Sequence, residues 1–173
     1  MSAKIDISVR SLVEFVLRSG NLGSSLSYSP ARMQEGIRIH QKLQQIKGRY
    51  IEKELALKLD ISVNDIKFRI SGRADGLILR DDFYIIDEIK STSKSLNHCE
   101  EEDVHLAQAK FYAYIYALDN ELKNIGVNVT YYSLYDEDFR SFEHEYEIEE
   151  LETYVIYVLK SYSLFCMLIE RLK

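Results

Sequence analysis

The sequence predicts an α/β domain of the α+β kind, a central mixed β-sheet flanked by helices. Three features carry that expectation. Runs rich in β-branched and aromatic residues near 50–59, 66–79, 83–90 and 127–135 read as strands. Ser29-Pro30 reads as a cap followed by proline at the first helical position, opening a helix through about Ile46. Leu151, Val155, Val158, Tyr162, Phe165, Leu168 and Leu172 recur at near-heptad spacing over a final helix, 148–172. Hydrophobic residues form 46% of the 173, too many for a disordered chain and enough for one domain with a real core.

Taken in order, a helix from about Val9 to Arg18 leads into a Gly/Ser-rich loop, Gly20 to Ser29, where mobility is expected. The long helix sets Met33, Ile37 and His40 on one stripe, so His40 faces inward, as a hydrogen-bonded core residue or as a ligand. Strands 66–79 and 83–90 flank Arg80-Asp81-Asp82 and form an antiparallel hairpin. With the turn centred on Asp81-Asp82, Arg80 faces Phe83 and Asp75 falls opposite Glu88, with Cβ atoms roughly 5 Å apart. Lys90 then projects from the same face as Glu88. A turn one residue longer places Asp87 opposite Asp75 instead. Carboxylates this close repel, and a divalent cation relieves them; oxygen ligands favour Mg²⁺ or Mn²⁺. A salt-bridged surface hairpin gathers the same charges, and spacing alone does not choose between the two. A helix from about Asp103 to Leu118 follows the acidic run Glu100 to Asp103, which suits the positive end of its dipole. Gln108 and Tyr112 share a face of it. The strand at 127–135 and an extra one at 139–146 precede the last helix.

Net charge is −6, which by itself argues against a nucleic-acid partner. The charge is uneven, however: Arg32, Arg38, Lys42, Lys47, Arg49, Lys53 and Lys58 cluster within 31–60, whereas 136–152 is strongly acidic. Local potential decides where a phosphate backbone lies. The 13 tyrosines offer packing and, in part, stacking surfaces for bases. Cys99 and Cys166, with no signal-like start, fit a reducing cytoplasm and free thiols. No apolar run approaches the roughly 20 residues that span a bilayer, so no membrane role is expected. The stripe of the last helix needs cover, from its own sheet, from a second copy in a homodimer, or from another domain.

Four short motifs occur in order: Gly36-Ile37-Arg38-Ile39-His40, Gly72-Arg73-Ala74-Asp75, Glu88-Ile89-Lys90 and Gln108-Ala109-Lys110-Phe111-Tyr112. Over about residues 8–135 they make the chain resemble the RecB-type branch of the PD-(D/E)XK nuclease superfamily. Ser8 to Phe15 is similar to the leading helix of such nucleases, which often begins with a small hydroxyl residue. The resemblance implies a restriction-endonuclease-like core and a metal-dependent DNA nuclease, an exonuclease on single-stranded ends in repair or recombination. It also implies that His40, Asp75 and Glu88, with the backbone carbonyl of Ile89, bind the metal, and that Lys90 orients or deprotonates the attacking water. Gln108 and Tyr112 would steady the lysine or contact the nucleic-acid backbone. Ser91, Thr92 and Lys94, just past the strand, are candidate phosphate donors beside the reading of a solvated loop. The imidazole leans the metal toward Mn²⁺ over Mg²⁺.

Two departures stand out. Several relatives hold an iron–sulfur cluster on four cysteines, and Cys99 and Cys166 exclude one within this chain. The third motif carries Glu88 where many relatives have aspartate, a swap the family pattern allows, and adjacent Asp87 is the reserve ligand should the register slip. The chain also resembles the nuclease module ahead of DinG-like helicases, so a helicase domain or subunit is an expected partner and an excised module an expected origin. No Gly-Lys-Ser/Thr nucleotide loop occurs here. A catalytically idle binding domain and a purely dimerising protein are the rival readings.

Overall fold

The computed structural model describes residues 3–18, 30–47 and 50–172; the loop Gly20 to Ser29, Arg49 and the side chains of Arg32, Met33 and Lys47 lie outside the described residues. In chain order the elements are β1 (Ala3–Ser8), α1 (Val9–Arg18), α2 (Pro30–Lys47), β2 (Tyr50–Val63), β3 (Ile66–Arg80), β4 (Phe83–Thr92), α3 (Asp103–Asp119), β5 (Asn124–Ser133), β6 (Asp138–Glu147) and α4 (Ile148–Leu172). A one-turn 3-10 helix, Leu96–His98, follows β4.

Two tight turns set the hairpins. Asp81 and Asp82 have φ of 52° and 63°, and Asn64 and Asp65 have 50° and 63°. Paired left-handed residues make the two-residue turn whose twist suits a hairpin, and Asn and Asp tolerate that conformation. The register is the one that the shorter turn predicts: Arg80 pairs with Phe83 and Gly76 with Asp87. The six strands form one mixed sheet, β1 and β5 running parallel to β3 and β4 and the other pairings antiparallel.

β3 is the long spine of that sheet. β2 lines one of its edges from Ile66 to Ile78. The other edge is shared: β1 pairs with Ile66 to Ser71, and β4 only from Gly76 onward. Between them Gly72, Arg73, Ala74 and Asp75 face a gap between strands.

Helices cover both faces. Helices α1, α3 and α4 enclose the main core, in which Leu12, Phe68, Ile70, Phe111, Ile115, Ile125 and Leu159 are essentially inaccessible to solvent. Helix α2 closes the opposite face with a small cluster of Ile39, Leu43, Ile89 and Tyr132. Ser8 starts α1 as the sequence suggests, its hydroxyl accepting the Ser11 N–H at 3.1 Å. Before α3, the Glu101 carboxylate accepts from His144 Nε2 of β6 at 2.8 Å. No described helix is long and apolar enough to cross a membrane.

Several boundaries move. β1 had no expected counterpart; it pairs in parallel with residues about sixty positions away, so nothing local announces it. β4 continues through Ser91 and Thr92, which therefore lie in the strand and not beyond it. β5 starts earlier than expected and ends at Ser133, leaving Tyr135 76% exposed in the turn. The expected Met33–Ile37–His40 stripe is displaced, because Ile39 and Leu43 carry the burial of α2 and Ile37 is exposed.

The stripe on α4 divides. Leu151, Val155, Val158 and Leu159 are buried in the chain's own core, and Tyr162 packs against Phe15 and Phe68. Leu168 and Leu172 are exposed. Leu159→Ala should therefore cost about 2–5 kcal/mol in denaturant unfolding, whereas Leu168→Ala should stay within about 0.5 kcal/mol of the parent.

Candidate active site

The gap along β3 builds the site. If the β3–β4 ladder continued, Ile89 would pair with Ala74. Instead the strands part, and the Ile89 N–H donates to Asp75 Oδ2 at 2.7 Å. A side-chain carboxylate thus takes the role of a backbone acceptor. The other oxygen, Oδ1, lies 3.2 Å from His40 Nδ1. Helix α2 delivers that imidazole because Ile39 and Leu43, on either side of it in sequence, are seated on Ile89 and Tyr132.

A third group joins them that the sequence reading missed. Lys53 pairs with Gly76 and Leu55 with Ala74, which sets Glu54 across from Asp75, and Glu54 has a φ of 53°. Single donor atoms of His40, Glu54 and Asp75 all lie within 4.8 Å of one another. In the sequence, Glu52-Lys53-Glu54 looks like a solvated run of charge, so only the fold reveals the placement. Burial alone would lower the His40 pKa; the hydrogen bond and charge of Asp75, with the charge of Glu54, outweigh it and raise the pKa.

Glu88 completes the acidic group. It is 3% exposed, its Oε1 is 3.3 Å from Lys90 Nζ, and its Oε2 is buried with no hydrogen-bond partner among the described residues. Burial, then the charge of Asp75 and a side-chain hydrogen bond with it, pushes its carboxyl well above the ordinary range, against the charge and hydrogen bond of Lys90. A buried carboxylate oxygen left unsatisfied is costly unless something from outside completes it.

Lys90 is held from the other side. Its Nζ donates to Gln108 Oε1 at 3.0 Å, and Gln108 Nε2 donates to Tyr112 OH at 3.3 Å. Tyr112 lies in the gap itself: a Cβ on Gly72 would meet its Cε1 at 2.5 Å, and its hydroxyl bonds the backbone of Arg73. Burial, then the charge of Glu88, raises the Tyr112 pKa. Gly72 is thus the residue that lets the ring close over the strand.

Asp87 takes no part in this group. It points to the opposite face, where the hydroxyls of Tyr50 and Thr130 donate to it, the latter at 2.7 Å. Ser91 is exposed, and the Thr92 hydroxyl accepts the Lys94 N–H at 3.1 Å; neither is hydrogen-bonded to the acidic group. His105, one turn before Gln108, has Nδ1 2.8 Å from the Tyr131 hydroxyl. Burial, then the charges of Lys90, Arg18 and Arg10, lowers its pKa to about 3.

The family model for the PD-(D/E)XK nuclease superfamily matches residues 12–162. The chain belongs to that superfamily. Among solved structures, this nuclease is similar to SSO0001, with a TM-score of 0.60, 19% identity, and 92% of this chain and 76% of that one covered. It is also similar to LHK-Exo, an alkaline exonuclease from Laribacter hongkongensis, in its complex with dAMP, at a TM-score of 0.53, 15% identity and coverage of 95% and 91%. At such identities the likeness shows the fold. No curated protein matches significantly. The mixed sheet with helices on both faces is accordingly a restriction-endonuclease-like core. Nucleases of this superfamily use divalent metals, and the donors here fit one: carboxylate oxygens, one imidazole and an unsatisfied buried Oε2.

Two outcomes test this geometry. Gly72→Ala should cost about 1–3 kcal/mol by overpacking, and combining it with Tyr112→Leu should cost less than the sum in denaturant melts. The neutral imidazole of His105 is favoured in the folded state, so its share of stability is complete above the unfolded pKa of about 6.5 and declines as pH falls from there toward 3. His105→Gln should flatten that decline, measured as stability against pH relative to the parent.

Proposed function

We propose that this chain is a divalent-metal-dependent deoxyribonuclease of the RecB-type branch, an exonuclease working on single-stranded DNA ends in repair or recombination. The observation that carries the reading is the buried Oε2 of Glu88, beside Lys90 and without a hydrogen-bond partner among the described residues. Lys90 meets one oxygen of Glu88, and the other is left as an acceptor for an outside cation.

In this reading His40, Asp75 and Glu88, with the Ile89 carbonyl, hold the cation. When bound, Mg²⁺ or Mn²⁺ acidifies a water and offsets charge on the phosphoryl oxygens. His40 leans the preference toward Mn²⁺. An ammonium has three donors, and Lys90 spends two on Glu88 and Gln108. The third is available for the attacking water or a phosphate oxygen, where a fixed positive charge stabilises the transition state. Gln108 and Tyr112 fix the direction of that donor. Ser91, at the exposed end of β4, and Thr92 remain candidate phosphate contacts. The dAMP held by LHK-Exo is a deoxynucleotide, the class of product assigned here.

Residues 1–173 form one nuclease domain in this reading, acting in the cytoplasm. Partnership with a helicase domain or subunit rests on the sequence resemblance, and the exposed apolar end of α4 offers a face for it or for a homodimer.

End-labelled single- and double-stranded DNA tests the reading. Cleavage should require Mn²⁺ or Mg²⁺, stop with EDTA, and fall about 10²- to 10⁴-fold in Lys90→Ala with the circular dichroism spectrum retained. Undiminished cleavage by Lys90→Ala would overturn the mechanism.

A further inference from the structure

The sequence resemblance gives Glu54 no role, yet the fold goes to some length to place it. Its φ of 53° is in the left-handed region, which a glutamate enters at a cost. That conformation persists only where the surroundings impose it. Here the surroundings are specific. The β2–β3 register shifts between Tyr50 and Glu52, immediately upstream. Tyr50 crosses over Gly76, whose missing side chain leaves room for the ring, and its hydroxyl donates to the buried Asp87. Burial and the charge of Asp87 raise the Tyr50 pKa, so the hydroxyl remains a donor. The start of β2 is therefore fastened to β4, one residue from Glu88, on the face opposite that of Glu88.

We infer that Glu54 is a further protein ligand of the cation, presented by a segment of β2 that Tyr50 pins to Asp87. Two independent observations converge on it. The first is the meeting of its carboxylate with Asp75 and His40 Nδ1 inside 4.8 Å, a separation that one ion can span. The second is the unpartnered Oε2 of Glu88, 3% exposed, with its carboxyl against that of the same Asp75. The donor set becomes three carboxylates and one imidazole. A set so rich in hard oxygen favours Mg²⁺ and Mn²⁺ over softer ions. Tyr50 is a positioning residue, acting on the metal only through Glu54.

The inference rests on the reading of this site as a metal centre, and the test separates the two. The full chain is stripped of metal, titrated with Mn²⁺ while free ion is followed by electron paramagnetic resonance, and melted with and without Mn²⁺. Glu54→Gln should weaken Mn²⁺ binding about tenfold or more, and its metal-free melting temperature should equal or exceed the parent's, because a repelling charge has gone. Tyr50→Phe should weaken binding by a smaller factor and add nothing on top of Glu54→Gln. Parental Mn²⁺ affinity in Glu54→Gln, above all with a lowered metal-free melting temperature, would make Glu54 a mere counter-ion of His40 and overturn the inference. Weakened binding in Glu88→Gln alongside that result would leave the metal centre standing without Glu54. No Mn²⁺ uptake by the parent chain would overturn both.

Discussion

The parting of β3 from β4 after the Gly76–Asp87 pair is the constraint on which the rest of the site depends. A strand that loses its neighbour inside a protein leaves backbone groups that must find other partners. Here the Ile89 N–H finds the Asp75 carboxylate. That bond sets the direction of the Asp75 carboxylate, with Oδ1 still facing His40. The same parting opens the slot that the Tyr112 ring fills, and so brings α3 against the strand.

From that slot a continuous hydrogen-bonded path runs through the motif residues. Tyr112 lies over Gly72, bonds Gln108, and Gln108 holds Lys90, which meets Glu88. The path crosses from β3 to α3 at Gly72 and from α3 to β4 at Gln108, which explains why short and individually weak motifs act together. Their order in the sequence follows the chain, whereas their contacts follow the gap. A glycine, a glutamine and a tyrosine with no acid–base duty of their own are needed because a flexible lysine reaches a defined point only when its other donors are occupied.

What could be read from the sequence was local. The Asp81-Asp82 hairpin was legible because turn chemistry and alternation fix register over a few residues. Helix α3 matched to within a residue, since its limits follow the acidic start and the helical periodicity of the segment itself. The sequence also led to His40, Asp75, Glu88, Lys90, Gln108 and Tyr112, and the fold brings these together. Signals that need a distant partner were missed. β1 exists only through pairing with β3, and the expected stripe on α2 named Ile37 because helical spacing does not tell which of two adjacent apolar rows meets the sheet. Glu54 was invisible for a sharper reason. In a strand of alternating charge an exposed glutamate is ordinary, and its meeting with Asp75 and His40 comes at a left-handed residue that no local pattern marks.

Asp87 and Glu88 show how adjacent acids divide their work. Both are buried, and alternation along β4 sends them to opposite faces. Each oxygen of Asp87 receives a hydroxyl, from Tyr50 and from Thr130, so its bonds tie β2 and β5 to β4. A carboxylate used in that way holds strands together and has little left to offer a ligand. Glu88 has one oxygen toward Lys90 and the other without a hydrogen-bond partner among the described residues. Leaving it so costs the fold stability, and the cost is borne next to a rigid lysine and a second carboxylate. The bonding on the Asp87 face holds β4 in place, while on the other face Glu88 meets Lys90 through one oxygen and presents the second. The two faces of β4 are therefore one device, with the satisfied acid keeping its neighbour in place.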